Sequence, residues 1–189
     1  MMEHDANPFS SHPMRKASRE MSAEWALNVM RRAPYITVSL VRDDGVAYGV
    51  PLSLASTDDN TWYFHCALKG DKIDAIAAHP QVCLSAVTRS EPVVDTKNGS
   101  FTLLFESAIA FGKASLVTDD EEKVRALRAI CERFLPQHMD AFQASIDRSL
   151  KSTAVVRIDL LAPPTGKRKA YDSHGEELKW QREENLHDA

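Results

Sequence analysis

The sequence predicts a mainly β fold: a six-stranded, mostly antiparallel barrel with short helices between its strands. Three observations carry that expectation. Residues 35–67 hold three β-branched or aromatic runs separated by turn residues, which is the pattern of a β-meander. Two further strand-like runs, at 101–117 and 152–162, lie far down the chain. The helical period occurs only in short segments between these runs, so helices decorate the sheet and do not form a bundle.

Taken in order, residues 1–17 are polar and aperiodic, with Pro8 and Pro13, and read as a flexible N-terminal arm. Residues 22–33 place Trp25, Ala26, Val29 and Met30 on one helical face, and Pro34 closes the segment. "YITVSLV" (35–41), the turn "RDDG" and "VAYGVPLSLA" (46–55) predict a hairpin. Pro51 cannot donate to a ladder, which places its strand at an edge, at a bulge or against something other than a strand. "TWYFHCA" (61–67) is the third strand. Residues 71–79 form a short helix with Asp71 as its cap and Ile73, Ile76 and Ala77 as its apolar face, and Pro80 stops it.

"QVCLSAV" (81–87) is strand four, followed by a polar loop over 88–100. The run at 101–117 exceeds an average strand and predicts a bend or bulge near Gly112. Residues 118–136 are the clearest helix, with Thr118 and Glu121 as a capping box and acidic residues in the first turn. Val124, Leu127, Ile130, Cys131 and Phe134 share one of its faces. A second helix over 138–150 turns Met139, Phe142 and Ile146 inward, and "STAVVRIDLLA" (152–162) is the last strand. The organisation is therefore an arm (1–17), one domain (18–170) and a polar extension (171–189) that contains Trp180.

Composition narrows the function classes. A 189-residue chain that is 43% hydrophobic can bury one core, and its net charge of −4 gives no global attraction to nucleic acid. No run reaches the length of a membrane span and the N-terminus lacks the apolar stretch of a signal peptide, so a cytoplasmic protein is expected. Cys66, Cys83 and Cys131 are read as reduced thiols. His79 and Cys83, or His65 and Cys66, have a spacing that invites a zinc reading, but adjacent strand residues point to opposite faces and no metal is expected. There is no G-x-G-x-x-G, no G-x-S-x-G and no H-E-x-x-H, and "TGK" at 165–167 has Leu161 where a phosphate-binding loop needs glycine.

What remains is "WYFHCALKGDKIDAIAAHP" (62–80), a strand, a loop and a helix. Lys69 and Lys72 bring two positive charges to the start of a helix, and Gly70 permits close approach of a ligand to the backbone. The stretch suits a phosphate site, and it also suits a pair of solvated lysines. His65 shares a strand face with Tyr63 and Ala67, opposite Trp62 and Phe64. A core histidine, an exposed one and a functional one all fit. "GVPLSLA" (49–55) is either a plain edge strand or a segment whose free amides face a planar polar ring.

The order of these segments resembles the flavin-binding split-barrel proteins of the pyridoxamine 5′-phosphate oxidase-like superfamily, and within it the nitroimidazole-resistance family. The resemblance lies in "GVPLSLA" (49–55), the run 62–87, "ESAIAFGKASLV" (106–117) and "STAVVRIDLLAPPTGK" (152–167). It implies a six-stranded split barrel, a homodimer, and FMN in a groove between the protomers. It further implies that Val50, Pro51, Leu52 and Ser53 lie along the flavin ring, that Ala67, Lys69, Gly70 and Lys72 surround its phosphate, and that Ser107 touches the flavin. His65 matches the histidine near the reactive face and is the candidate catalytic residue. The implied activity is an FMN-dependent oxidoreductase that reduces small nitro compounds with NAD(P)H. A flavin- or haem-binding module without robust catalysis is the alternative, and a deazaflavin in place of FMN is a third reading. Gly49 and Val50 stand where basic residues recognise pyridoxamine phosphate, which argues against oxidation of that substrate.

Overall fold

The computed structural model describes residues 13–94, 99 and 101–171. A three-residue 3-10 turn (Ala17–Arg19) leads into strand β1 (Glu20–Met21) and helix α1 (Ala23–Arg32). Then come β2 (Ile36–Val41), β3 (Ala47–Leu52), β4 (Ala55–Ser56), β5 (Thr61–Ala67) and helix α2 (Asp71–Ala78). The long strands β6 (Gln81–Val94) and β7 (Phe101–Leu116) follow, then helices α3 (Asp120–Phe134) and α4 (Phe142–Ser149), with a 3-10 stretch between them. Strands β8 (Thr153–Leu160) and β9 (Thr165–Lys169) complete the fold. The mainly β class with helical decoration is as expected, although the strands number nine among the described residues where six were anticipated. The described part of the anticipated arm begins at residue 13; residues 1–12 and the extension beyond Tyr171, with Trp180, lie outside the described residues.

All strands belong to one sheet with the order β3-β2-β6-β7-β8-β5-β4, every pair antiparallel, and β9 joined to β7 and β1. The two ends of that order, β3 and β4, are separated in the chain by only Ser53 and Leu54. Three residue steps reach no more than about 10 Å, so the sheet must curl until its ends almost meet. The expected single strand over 46–55 is thus two strands on opposite sides of the opening. Pro51 lies on β3, a strand at the end of the sheet order, where its missing N–H is tolerated.

The sheet forks at β7. Its first half pairs with β9 (Phe105↔Lys169 to Ile109↔Thr165) and its second half with β8 (Gly112↔Leu160 to Leu116↔Val156). At the fork a Cβ on Gly112 would drive into Ile158 Cγ2 and lie 3.1 Å from the Asp159 carbonyl. Close approach explains this glycine. The expected bulge lies instead on β6, between Val87 and Arg89, while the burial of β7 alternates without a break.

Residues 88–94 are strand and not loop: β6 pairs with β7 out to Val94↔Phe101. Of the polar residues that suggested a loop, Glu91 is buried and Thr88 and Arg89 are half-buried in the ladder, while Ser90 is exposed. Glu106 is 7% exposed, accepts from Thr88 Oγ1 at 3.1 Å and is bridged by Arg32 and Arg168. The same cause hid β9, whose "TGKRK" reads as tail but sets Gly166 against the Trp25 ring.

Two apolar clusters fill the molecule. The barrel interior is built around Trp62, Phe64, Met30, Ile36, Leu54 and Ile158. A second cluster seals α3 and α4 onto the outer face of β5 and β8 through Tyr63, Leu127, Ile130, Phe142, Ile146 and Val155. Two helix caps differ from expectation. Asp119, not Thr118, caps α3 by accepting from the Glu122 amide at 2.7 Å, and Gly70 occupies the α2 cap where Asp71 was expected. On α2 the buried residues are Ala75 and Ile76, and Ala77 is exposed. No helix among the described residues is long and apolar enough to cross a membrane.

Candidate functional site

Strand β5 carries its side chains to two places. Trp62, Phe64 and Cys66 pack on the barrel cluster, whereas Tyr63 enters the second cluster. His65 follows Tyr63 on that second face but is exposed, opposite Val155 on β8. The core reading of this histidine is thereby removed. No described side chain hydrogen-bonds it.

Tyr63 shows what the face looks like where α3 still covers it. Its hydroxyl donates to Glu122 Oε1 at 2.8 Å, and Arg157 Nη1 reaches the same oxygen at 3.2 Å. Burial, helped by the Glu122 carboxylate, pushes the phenol pKa up to about 12. The Arg157 guanidinium also holds Asp159 at 2.9 Å through Nε.

Beyond Ala67 the chain leaves the sheet. Leu68, Lys69 and Gly70 are exposed, and Gly70 has φ +123°, a conformation open in practice to glycine alone. Its carbonyl accepts from the amides of Ile73 at 2.8 Å and Asp74 at 3.2 Å, which starts α2. No side chain caps that start, so the Asp71 and Lys72 amides point outward without a capping acceptor. Lys69 and Lys72 form no ion pair with a described residue. The Lys72 ammonium lies near enough to act on Cys66, whose thiol pKa is nonetheless raised because burial outweighs the lysine. Free amides, a helix N-terminus and two unpaired lysines converge here, and this donor set fits a phosphate. Asp71 and Asp74 in the same first turn, with Asp43 and Asp44 across a shallow basin, keep the positive field local.

The segment expected along a ring ends β3 and leads into β4. Val50 and Leu52 are half-buried, and Pro51 and Ser53 are exposed. β4 pairs with β5 at Ala55↔Tyr63, so Ser53 and His65 each stand two residues on, in opposite directions along one antiparallel register. The crossover thus carries Val50–Ser53 toward the exposed end of β5. Ser107 is elsewhere. It pairs with Val87 and with Lys167 on the outer face of β7. Its neighbour Ile109 is joined to Pro51 through Ser85 and Thr37, which is three strand spacings, or roughly 14 Å. β5 and the loop after it thus carry His65, Ala67, Lys69, Gly70 and Lys72, the Val50–Ser53 segment leads toward β5 through β4, and Ser107 stands apart.

Sequence reading missed Arg133. From the last turn of α3 its Nη1 donates to Leu54 O at 2.5 Å, and its Nη2 donates to Met30 O at 2.9 Å and Ala33 O at 2.7 Å. Nothing in the sequence marks it, because its three acceptors are main-chain carbonyls. Lys167, beside Ser107 and over the Phe105 ring, was missed with β9. His65, Cys66, His79 and Cys83 do not gather into a metal-ligating group among the described residues.

Comparison with known proteins bears on the family and the fold. The family described as pyridoxamine 5′-phosphate oxidase matches residues 22–165. No curated protein sequence matches the chain. Among solved structures, one is the flavocytochrome Anf3 from Azotobacter vinelandii, with 19% identity, a TM-score of 0.73, and coverage of 93% of this chain and 78% of that one. A FAD- and haem-binding protein from Mycobacterium smegmatis is 20% identical with a TM-score of 0.71, over 90% of this chain and 80% of that one. A protein assigned by name to 5-nitroimidazole antibiotic resistance, from Bacteroides thetaiotaomicron, is 22% identical with a TM-score of 0.63, over 76% of this chain and 82% of that one. At these identities the likeness is one of fold, the split barrel.

Proposed function

Because the chain belongs to the pyridoxamine 5′-phosphate oxidase family, we propose that it is an FMN-dependent oxidoreductase, built as a homodimer, acting on small nitro compounds with NAD(P)H as electron source. The observation that carries the flavin is the start of α2. Uncapped amides, Gly70 at φ +123° and two unpaired lysines form a phosphate cradle beside an exposed strand end. Lys69, Gly70 and Lys72 would hold the phosphate, with Ala67 at its edge, and Val50, Pro51, Leu52 and Ser53 would face the ring. FMN, when bound, supplies the hydride and electron chemistry.

The chain's own residues then bind, orient and move protons. His65, exposed next to the ring segment, would contact substrate through its imidazole and donate a proton to a reduced oxygen or nitrogen. Lys72 would neutralise phosphate charge and stay outside the chemistry. Ser107, three strand spacings from Pro51, would reach a flavin only in a second protomer. The outer face of β7 that surrounds it supports such a partner: Phe101, Leu103 and Ile109 are all exposed on it.

A second reading is a flavin- or haem-binding module without turnover. It is favoured by one observation, that no described residue orients His65. The test is direct. Purified protein incubated with FMN should show flavin absorption after gel filtration, elute as a dimer, bleach with NADPH or NADH, and regain colour with a nitroaromatic. Retained colour without bleaching would support the binding module, failure to take up FMN would defeat the oxidoreductase reading, and failure to take up either FMN or haem would defeat both.

A further inference from the structure

We infer that Arg133 is a positioning residue for the flavin face, fixing the Ser53–Leu54 crossover relative to His65; the inference rests on the flavin reading above. Ser53 and Leu54 are the only residues between β3 and β4, and neither belongs to a strand. The sheet ladder that holds every neighbouring segment is interrupted at the place where the chain passes the candidate ring.

Two contacts replace it. The Leu54 side chain is fully buried in the barrel, and the Leu54 carbonyl accepts from Arg133 Nη1 at 2.5 Å. The same guanidinium closes the C-terminal end of α1 through Met30 O and Ala33 O. These are orphan carbonyls at the negative end of a helix dipole, so a cation is the apt partner. The Arg133 head is half-buried and stacks 4.8 Å from the Phe134 ring, which removes its freedom to swing away. One rigid fork thus ties three elements: α3, the end of α1, and the crossover.

A lysine could match the charge but not the fork, because a single ammonium cannot serve carbonyls from both segments with the same planar geometry. The crossover would then settle against its ladderless neighbours, and Ser53 would shift against His65. Bound FMN would report that shift in its visible circular dichroism and in its affinity, since both depend on the groups around the ring.

The experiment compares Arg133→Lys with Ile146→Ala in the FMN-loaded protein. Ile146 lies on α4, buried in the second cluster, and its truncation lowers stability while leaving the Arg133 fork in place. Arg133→Lys is expected to weaken FMN binding about tenfold and to alter the visible dichroism. Ile146→Ala is expected to lower the melting temperature and leave both flavin readouts at wild-type values. Should Arg133→Lys fail to fold, Arg133→Met, which keeps the packed stem, takes its place. Wild-type dichroism and affinity in the Arg133 variant overturn the inference, as does a parallel change in Ile146→Ala. Absence of FMN uptake by the unsubstituted protein defeats the flavin reading itself, before any variant is compared.

Discussion

The Tyr63 hydroxyl donates to Glu122 Oε1 at 2.8 Å, and this bond joins strand β5 to the first turn of α3 two residues before His65. The phenol is 5% exposed, so its proton is held by both burial and the carboxylate. Its folded pKa of about 12 lies above the ordinary value of 10. A raised pKa in a group that is neutral when protonated means stability that is complete below pH 10 and lost as pH rises through 12. The loss over that window is on the order of 2–3 kcal/mol. Alkaline unfolding followed by circular dichroism should show it, and Tyr63→Phe should flatten that limb. An unchanged limb would mean that the Glu122 contact does not persist in solution.

The phosphate cradle predicts a graded response to charge. Lys72→Ala removes one charge-assisted contact to an anion, about 1.5–3 kcal/mol, or roughly a ten- to hundredfold rise in the FMN dissociation constant. Riboflavin, which lacks the phosphate, should bind the variant and the wild type alike. Fluorescence titration with both ligands checks this, and an equal loss for riboflavin would move Lys72 away from the phosphate.

His65 is exposed and contributes no described contact to the fold, so His65→Ala should leave the melting temperature and FMN content unchanged. Turnover with a nitroaromatic should fall by about 10²-fold or more, the usual weight of a positioned proton donor. Steady-state kinetics on the loaded protein decide the point. Equal turnover would remove the catalytic role while sparing the cofactor site.

Gly112 sits where β7 changes partner. In Gly112→Ala the new methyl meets Ile158 Cγ2 and the Asp159 carbonyl, one of them main chain and unable to yield. Overpacking of this kind costs about 1–3 kcal/mol. Urea denaturation should show the unfolding free energy fall by that amount, and a Gly112→Ala, Ile158→Leu double variant should recover part of it, because leucine carries no second branch at Cβ.

Local chemistry made much of the molecule legible. The β2–β3 hairpin, the edge position of Pro51 and the helix over 118–136 follow from β-branched runs with a turn between them, a missing N–H and acidic first-turn residues, all of which act over a few residues; the expected meander does not extend to β5, which pairs with β4 and β8. The loop at 69–72 was readable for the same reason: its glycine, lysines and helix start are adjacent in the chain. The strands over 88–94 and 165–169 were not, because polar side chains in both, Thr88 and Arg168, meet the same Glu106 carboxylate on β7, a partner outside either segment.

The sequence by itself determined the class of fold, the two faces of β5 and the glycine and lysines at the α2 start, since period, turn residues and local charge decide these. Tertiary structure alone decided that residues 46–55 split across the barrel opening, that His65 is exposed while Tyr63 two residues earlier is buried, and that Ser107 stands three strands from Pro51. It alone brought Arg133 to three carbonyls of distant segments. Closure of a sheet sets which strand ends meet, and α3 covers one part of a face and leaves the next bare; both depend on contacts between residues that no local pattern connects.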